Sequence, residues 1–189
     1  MYIYLLIHQA PPMTENIKTV YFKSPYGELI LGDYQGQLCL CDWRYRKTRK
    51  QIDKRIQPQL KADFQEENTP LLEEVKKQLG EYFEGKRSQF DLPLLRVGSA
   101  FQKSVWDGLL QIPFGKTETY LGLSKILKNE KAIRAVASAN GANAISIIVP
   151  CHRIIGSDGS MVGYAGGLNA KKKLLELEGG LDSSQLALF

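Results

Sequence analysis

Cysteine and histidine are scarce in this sequence of 189 residues, which has three of the former and two of the latter. An odd cysteine count, in a chain long enough to bury its own core, argues against a disulfide framework and predicts reduced thiols. The apolar stretch at residues 2–7 is far shorter than a membrane span and has no basic residue before it. We therefore expect a cytoplasmic protein with no membrane partner.

The scarcity of histidine also limits metal binding. Cys39 and Cys41 alternate with leucines, so in a regular strand both thiols would point to one face. No histidine or further cysteine lies near them to complete a zinc site, and His8 is the only histidine in the first half of the chain. We expect both thiols to pack in a core, and we expect no metal and no organic cofactor.

The charge and composition of the chain are compatible with binding to a polyanion. Hydrophobic residues make up 43% of the chain, enough for one large domain or two small ones, and the net charge of +5 is compatible with nucleic acid. Residues 44–55 concentrate seven basic side chains, with Trp43 and Tyr45 at the start. A solvated loop or helix face is the default interpretation of this stretch, and direct DNA contact is the alternative.

The first half reads as strands followed by a helix. Between residues 19 and 42, three β-rich runs separated by turn residues predict an antiparallel meander. Thr69 and Pro70 then form a helix start, and apolar residues recur at helical spacing until Gly85. An extended connector follows, and we place a domain boundary near Leu95. This divides the chain into residues 1–95, 96–181 and a tail, 182–189.

The second half predicts several short helices. Ser99 stands three residues before Gln102, the spacing of a capping box. Helical segments at residues 120–128 and 130–139 would form a helix-turn-helix. The second segment is rich in small residues and carries Arg134, as a helix that enters a DNA groove would, although small residues are also common in buried helices.

A candidate nucleophile follows the strand-like run at residues 145–149. Cys151 stands between Pro150 and His152. Only the thiolate of a cysteine, whose ordinary pKa is about 8.5, is a competent nucleophile, so a neighbouring base such as His152 would assist it. Successive side chains on a regular strand face opposite ways, so contact between the two needs a bend or a bridging water. A free cysteine beside a histidine is otherwise usually structural.

Residues 149–154, Val-Pro-Cys-His-Arg-Ile, resemble the PCHR signature of the bacterial-type O6-alkylguanine-DNA alkyltransferases. The resemblance extends from about residue 20 to residue 179, through the hairpin sequence at 24–27, the stretch 82–86, and 101–120. It implies an α+β protein. The N-terminal domain would be RNase H-like, with an antiparallel sheet and a helix. The C-terminal domain would be mostly helical and winged-helix-like. It would bind DNA through the helix-turn-helix and would contain the active site.

The resemblance also implies DNA repair by direct reversal. A methyl or larger alkyl group would move irreversibly from O6-alkylguanine, and also from O4-alkylthymine, to Cys151, so that one protein molecule is consumed per lesion. His152 would remove the thiol proton through a water, Glu178 would orient His152, and Asn143 would tie the exit of the recognition helix to the active-site backbone. This is the logic of a catalytic triad.

Substrate contacts follow from the same resemblance. Arg134 would enter the base stack as the damaged nucleotide leaves it, and Tyr120 would contact the extruded base, with its hydroxyl at N3. Tyr164 would pack on the guanine, and the Ala165 amide would donate to O6. The carbonyl oxygens of Cys151 and Ile154 would accept from the exocyclic amine. The partner would be double-stranded DNA approached from the minor groove, and the protein would act as a monomer.

This hypothesis has three rivals. A damage-binding relative without the nucleophile is disfavoured by Cys151, and a Cys-His hydrolase would need an oxyanion hole that is not legible in the sequence. A plain helix-turn-helix regulator would not explain residues 150–153 or Glu178. The sequence leaves the ranking of methyl against bulkier lesions open.

The C-terminal tail carries a separate pattern. Its last residues resemble the short QLxLF peptide by which bacterial proteins dock on the sliding clamp, through Gln185, Leu186, Leu188 and Phe189. The alternative is that this apolar end folds back on the protein's own surface.

Overall fold

The computed structural model describes residues 15–181, and its first half is built on a four-stranded sheet. The strands are β1 (Ile17–Ser24), β2 (Gly27–Tyr34), β3 (Gln37–Trp43) and β4 (Phe64–Glu66), in the order β3-β2-β1-β4. The first three form the predicted antiparallel meander. The short β4, which the sequence analysis missed, pairs with β1 in parallel, so the complete sheet is mixed.

Two helices pack on this sheet. Helix α1 (Arg49–Leu60) lies in the basic stretch, and its buried Ile52 and Ile56 share a cluster with residues of β1 and β3. Helix α2 (Pro70–Phe83) begins at the predicted cap, where the Thr69 hydroxyl accepts from the amide of Leu72 at 3.2 Å. Its apolar face joins a second, larger cluster.

The expectation that Cys39 and Cys41 share one face of a strand is wrong. Both are buried, but they belong to different clusters, Cys39 with Leu40 and Cys41 with Leu38. The register between β2 and β3 shifts at Gly32 and Asp33. A β-bulge of this kind adds a residue to one strand and so breaks the alternation of side chains.

The second half contains the predicted helix-turn-helix. Helix α3 (Ala100–Leu110) starts with the capping box, α4 (Tyr120–Ile126) follows, and a 3-10 turn leads into α5 (Ile133–Gly141). The indole nitrogen of Trp106 donates to the carbonyl of Ala139 at 2.9 Å, which joins α3 to α5. The last helix is α6 (Gly167–Leu177), and the short strands β5 (Glu118–Thr119) and β6 (Ile154–Ile155) pair in parallel.

The predicted strand at residues 145–149 is absent. Ile145 forms one bridge to Cys41, and the chain then turns through Ile147, whose φ of 73° lies in the left-handed region. Cys151 begins a 3-10 helix, Cys151–Arg153, instead of ending a strand. Such a run is apolar because it is buried, and hydrophobicity alone does not distinguish a buried strand from a buried turn. A β-branched residue at positive φ is strained, and such strain is often found near functional sites.

The two halves share one hydrophobic core. The largest buried cluster includes Leu29 and Leu31 of the sheet together with Val105, Leu109 and Leu174 of the helical half. The division near Leu95 therefore does not separate two independent cores. No helix within residues 15–181 is long and apolar enough to cross a membrane.

Candidate active site

A cleft of about 670 Å³ opens between the two halves, and Cys151 lies at its base. The second half contributes Tyr120, Asn143, Tyr164 and Ala165 to its walls, and the first half contributes a further set that includes Tyr26, Trp43, Tyr45 and Arg46. Cys151 is 4% exposed. Of the three cysteines, only Cys151, at the start of the 3-10 helix, lines this cleft.

Asn143 fixes the backbone around the thiol. Its Oδ1 accepts from the amide of Ile145 at 2.9 Å, and its Nδ2 lies 2.9 Å from the Val149 carbonyl oxygen and 3.2 Å from Cys151 Sγ. A third acceptor, the Ile145 carbonyl, lies at 3.3 Å. An amide nitrogen has only two hydrogens, so these acceptors share them. Asn143 thus connects the segment after α5 with the backbone around Cys151.

The resting thiol is protonated. Burial raises the pKa of Cys151 above its usual value, while the hydrogen bond from Asn143 and the charge of Arg46 act in the opposite direction without cancelling the rise. Only the thiolate is an effective nucleophile. A nucleophilic role for Cys151 would therefore need a base that takes the thiol proton.

His152, the residue after Cys151, is a buried histidine. It is 0% exposed, and its Nε2 lies 2.8 Å from Glu178 Oε1. Burial lowers the pKa of His152, although the bond to Glu178 opposes this shift. A neutral imidazole beside a carboxylate must carry its hydrogen on Nε2, the atom that faces the acceptor. Nδ1 then has a free lone pair, and it has no hydrogen-bond partner among the described residues.

Glu178 is held by more donors than the sequence analysis expected. Arg153 donates from Nε to Oε2 at 2.8 Å and from Nη2 to Oε1 at 3.0 Å, and the Tyr82 hydroxyl donates to Oε1 at 2.8 Å. Burial raises the pKa of Glu178, but the interactions with His152 and Arg153 outweigh it and lower the pKa to about 2. The carboxylate therefore remains ionised at neutral pH and holds the hydrogen of the neutral His152 ring on Nε2.

Tyr120 and Tyr164 both line the cleft that contains Cys151. Burial raises the pKa of the Tyr120 hydroxyl, and Cys151 adds to the rise, so the group stays protonated and is able to donate. The Tyr164 ring packs edge-on against His152, with centroids 6.2 Å apart, and against Trp43 at 6.0 Å. Ala165 follows in the same loop and is half-buried.

Two predicted substrate residues lie outside this cluster. Arg134 is exposed on α5 and does not line the cleft, whereas Ala137, one turn further along the same helix, does. Ile154 is fully buried, and its carbonyl oxygen accepts a hydrogen bond from Lys171 Nζ, which also donates to the Val162 carbonyl at 2.7 Å. A carbonyl oxygen has two lone pairs, so a second donor remains acceptable to it.

Lys171 was missed by the sequence analysis. It is fully buried within a run of three lysines, and burial lowers its pKa to about 8. Helical spacing contained the signal, because Leu174 and Leu175 lie three and four residues after it on the buried side of α6. By contrast, no local pattern around Tyr82 connects it with Glu178, 96 residues away.

The default interpretation of the basic stretch is wrong for two of its residues. Arg46 is 8% exposed and Arg55 is half-buried, and both donate to backbone carbonyls at the end of α5. Arg44, by contrast, is well exposed and lies over the rings of Tyr21 and Tyr45. Within residues 15–181, no three histidine, cysteine or acidic side chains converge as a metal site would require.

Comparison with known proteins matches both halves of the chain. Residues 17–95 match the family described as the ribonuclease-like domain of 6-O-methylguanine DNA methyltransferase, and residues 100–180 match its DNA-binding domain. A methylated-DNA–protein-cysteine methyltransferase of Methanosarcina acetivorans is 43% identical over 84% of this chain and 96% of its own length. One of Mycobacterium leprae is 39% identical over 88% of this chain and 94% of its own.

Solved structures agree with this assignment and with the predicted α+β fold. The crystal structure of Mycobacterium tuberculosis OGT in complex with DNA has a TM-score of 0.74 and 35% identity, covering 92% of this chain and 99% of the other. The match extends through the sheet, the helix-turn-helix and the segment that contains Cys151. The chain therefore belongs to the 6-O-methylguanine DNA methyltransferase family.

Proposed function

We propose that this protein repairs alkylated DNA by transferring the alkyl group from O6 of guanine to Cys151. The observation that carries the proposal is the placement of one buried thiol in the cleft, with Asn143 on its sulfur and the His152–Glu178 pair behind it. Family membership supports the reaction, because the relatives bear the name of methylated-DNA–protein-cysteine methyltransferases.

The proton moves before the alkyl group does. His152 Nδ1 accepts the proton of Cys151 through a water molecule, while Glu178 stabilises the imidazolium that forms. The thiolate attacks the alkyl carbon, the S–C bond forms, and the C–O6 bond breaks with its electron pair remaining on the guanine. The guanine then takes up the proton. In this scheme His152 is a catalytic residue, and Glu178 and Asn143 are positioning residues.

The damaged nucleotide must leave the helix to reach Cys151. A thiol that is 4% exposed at the base of a cleft is inaccessible to O6 of a paired guanine. Extrusion costs a few kcal/mol of unstacking. In our proposal α5 enters the minor groove and the exposed Arg134 replaces the extruded nucleotide in the stack, which offsets that cost.

Contacts inside the cleft orient the extruded base. The protonated Tyr120 hydroxyl donates to N3 and offsets the negative charge that develops on the leaving guanine. Tyr164 packs on the ring, the Ala165 amide donates to O6, and the free lone pair of the Ile154 carbonyl accepts from the exocyclic amine. O4-alkylthymine presents the same alkyl–oxygen linkage, and we include it among the substrates.

The reaction consumes the protein. A thioether has no good leaving group, so the alkyl group stays on Cys151. We further propose that the protein acts as a monomer in the cytoplasm, because one chain contains all the groups that the transfer requires.

The tail adds a second proposed partner. Gln185, Leu186, Leu188 and Phe189 lie outside the described residues, and their similarity to the QLxLF peptide supports docking on a bacterial sliding clamp. The test is titration of the clamp with the full chain and with a form that ends at Ser184. Only the full chain is expected to bind, and equal binding, or no binding by either, would remove this proposal.

Stoichiometry tests the main proposal. A duplex oligonucleotide containing O6-methylguanine is mixed with increasing amounts of protein, and lesion loss is compared with the intact mass of the protein. We expect one lesion repaired per protein molecule that gains a methyl group, and no repair by Cys151→Ala. Continued turnover, or repair without a gain in protein mass, would contradict the proposal.

A further inference from the structure

The chain segment between α5 and the nucleophile is held from the first half of the molecule. Arg46 donates from Nη2 to the Gly141 carbonyl and from Nη1 to the Asn143 carbonyl, the latter at 2.8 Å, and Arg55 donates to the Ala142 carbonyl at 2.7 Å. Three successive carbonyl oxygens at the end of the recognition helix are thus bound by two guanidinium groups that lie almost a hundred residues earlier in the sequence.

These guanidinium groups supply what α5 lacks. The last carbonyls of a helix have no intrahelical donors and carry a partial negative charge, so cations near them are stabilising. The last turn of α5 has no basic residue of its own. Arg46 and Arg55 therefore act as its C-terminal charge partners, although they belong to the other half of the protein.

A buried network fixes the orientation of Arg46. Its Nη1 lies 3.2 Å from both carboxylate oxygens of Asp42, which is fully buried, and its Nε donates to the Thr48 hydroxyl at 2.8 Å. Asp42 also accepts from the Ser146 hydroxyl at 3.3 Å. Every nitrogen of the guanidinium group is thus engaged, in a planar arrangement that a lysine ammonium group does not reproduce.

Asn143 connects this network to the thiol. Its backbone carbonyl accepts from Arg46, and its side chain lies 3.2 Å from Cys151 Sγ. Arg46 also lines the cleft in which the thiol lies. A single residue therefore transmits the position of Arg46 both to the end of α5 and to the sulfur atom.

We propose that Arg46, oriented by Asp42, is a positioning residue for alkyl transfer, which holds α5 and the Cys151 thiol at a fixed separation through Asn143. The proposal rests on the proposed function in taking Cys151 as the acceptor and α5 as the helix that enters DNA. The charge of Arg46 also favours the Cys151 thiolate, because it lowers the pKa of the thiol, although burial raises this pKa by more.

Three variants and one matched control test this role. Arg46→Met removes both the charge and the planar set of guanidinium donors, whereas Arg46→Lys keeps only the charge. Asp42→Asn weakens the contact that orients the Arg46 guanidinium group. Arg44→Met is the control, because Arg44 lies in the same loop but forms an exposed ion pair with Glu28 and does not line the cleft. Each is assayed for transfer from an O6-methylguanine duplex, for thermal unfolding, and for the pH dependence of Cys151 labelling by iodoacetamide, located by peptide mass.

A positioning role predicts a distinct set of results. Arg46→Met transfers roughly 100-fold more slowly, the loss expected for a misplacement of about 1 Å. Its Cys151 is also labelled roughly tenfold more slowly at neutral pH, because the pKa of the thiol rises further. Arg46→Lys keeps a labelling profile close to that of the original protein but still transfers roughly tenfold more slowly, because a lysine lacks the planar set of guanidinium donors. Arg44→Met matches the original protein in both assays.

The contrary results are equally specific. A folded Arg46→Lys and Asp42→Asn that both transfer at the rate of Arg44→Met would overturn the positioning role, even if Arg46→Met failed to fold. A loss of thermal stability without any change in transfer rate at a temperature where the variants are folded would show a purely structural role. If the unaltered protein gains no alkyl group on Cys151, the proposed function fails, while the labelling profiles still test the link between Arg46 and the thiol.

Discussion

Two buried polar networks meet at Cys151, and they differ in what they hold. On one side, Glu178 accepts from Tyr82, His152 and Arg153, so a carboxylate is the centre of the network. On the other side, Arg46 donates to Asp42 and to the carbonyls of residues 141 and 143, so a guanidinium group is the centre. Each network includes side chains from both halves of the chain.

The two networks bear on different properties of the site, one on proton transfer and the other on the positions of main-chain atoms. Burial keeps His152 neutral, and the hydrogen bond to Glu178 orients the ring so that its Nδ1 can accept a proton, which concerns the protonation state of the thiol. The Arg46 network binds main-chain atoms, which concerns the placement of α5 and Cys151. Variants in the Glu178 network should therefore slow alkyl transfer without weakening DNA binding. Variants in the Arg46 network should slow transfer from duplex DNA because α5 and Cys151 are displaced relative to each other.

The largest effect is expected from removing the base. His152→Ala should slow alkyl transfer by about 10² to 10⁴-fold, the usual contribution of a general base, while the affinity for lesion-containing DNA stays within a fewfold of the original. Single-turnover kinetics and a DNA titration measure the two quantities. Glu178→Gln should slow transfer as well, and the double variant should be no slower than His152→Ala, because the two act as a unit. Additive losses in the double variant would argue against the relay.

Acid should weaken the Glu178 network, because Glu178 holds its partners as a carboxylate. The folded pKa of Glu178, about 2, lies below its value of 4.5 in the unfolded chain. Its ionisation therefore contributes stability above pH 4.5 that is lost as the pH falls towards 2, about 3 kcal/mol in all. Urea unfolding of Glu178→Gln and of the original protein should differ most near pH 6 and converge in acid. A difference that is independent of pH would contradict the assignment.

Arg134 offers a contrast to both networks, because it lies on the exposed face of α5. Arg134→Ala should slow repair of duplex DNA by roughly tenfold, which corresponds to about 1.4 kcal/mol, and leave reaction with free O6-methylguanine base unchanged. Parallel rate measurements on the two substrates decide this. Equal losses on both would remove the role in extrusion.

The smallest effect should come from Tyr82, the first-half member of the Glu178 network. Tyr82→Phe removes one of several hydrogen bonds to Glu178 and should cost about 1–3 kcal/mol of stability, with a loss of transfer rate smaller than that of Glu178→Gln. Tyr34→Phe is a suitable control, since the Tyr34 hydroxyl donates to the Leu60 carbonyl away from the cleft. If both variants transferred at the original rate, Tyr82 would have no part in orienting Glu178.

Local signals predicted the parts of the fold that local interactions determine. The meander, the cap at Thr69, the capping box at Ser99 and the helix-turn-helix were all predicted from short patterns, and the family signature placed Cys151 and His152. The turn at residues 145–149 was not predicted, because hydrophobicity reports burial and not backbone geometry.

Long-range partners remained hidden for a related reason. Nothing near Arg46 indicates that it binds carbonyls of residues 141 and 143, and the same holds for Tyr82 and Glu178. Both contacts arise only when the two halves pack around one core. The sequence therefore indicated Cys151, His152, Glu178 and Asn143, whereas the structure was needed to find Arg46, Tyr82 and the contact of Arg153 with Glu178.

In our proposal Cys151, and neither Cys39 nor Cys41, receives the alkyl group. The most direct test incubates the protein with duplex DNA whose O6-methylguanine carries an isotopically labelled methyl group, followed by digestion and peptide mass analysis. We expect the label on the peptide containing Cys151 and on no other, since Cys39 and Cys41 are buried and neither lines the cleft. Label on either of those cysteines, or on no cysteine while the lesion disappears, would contradict it.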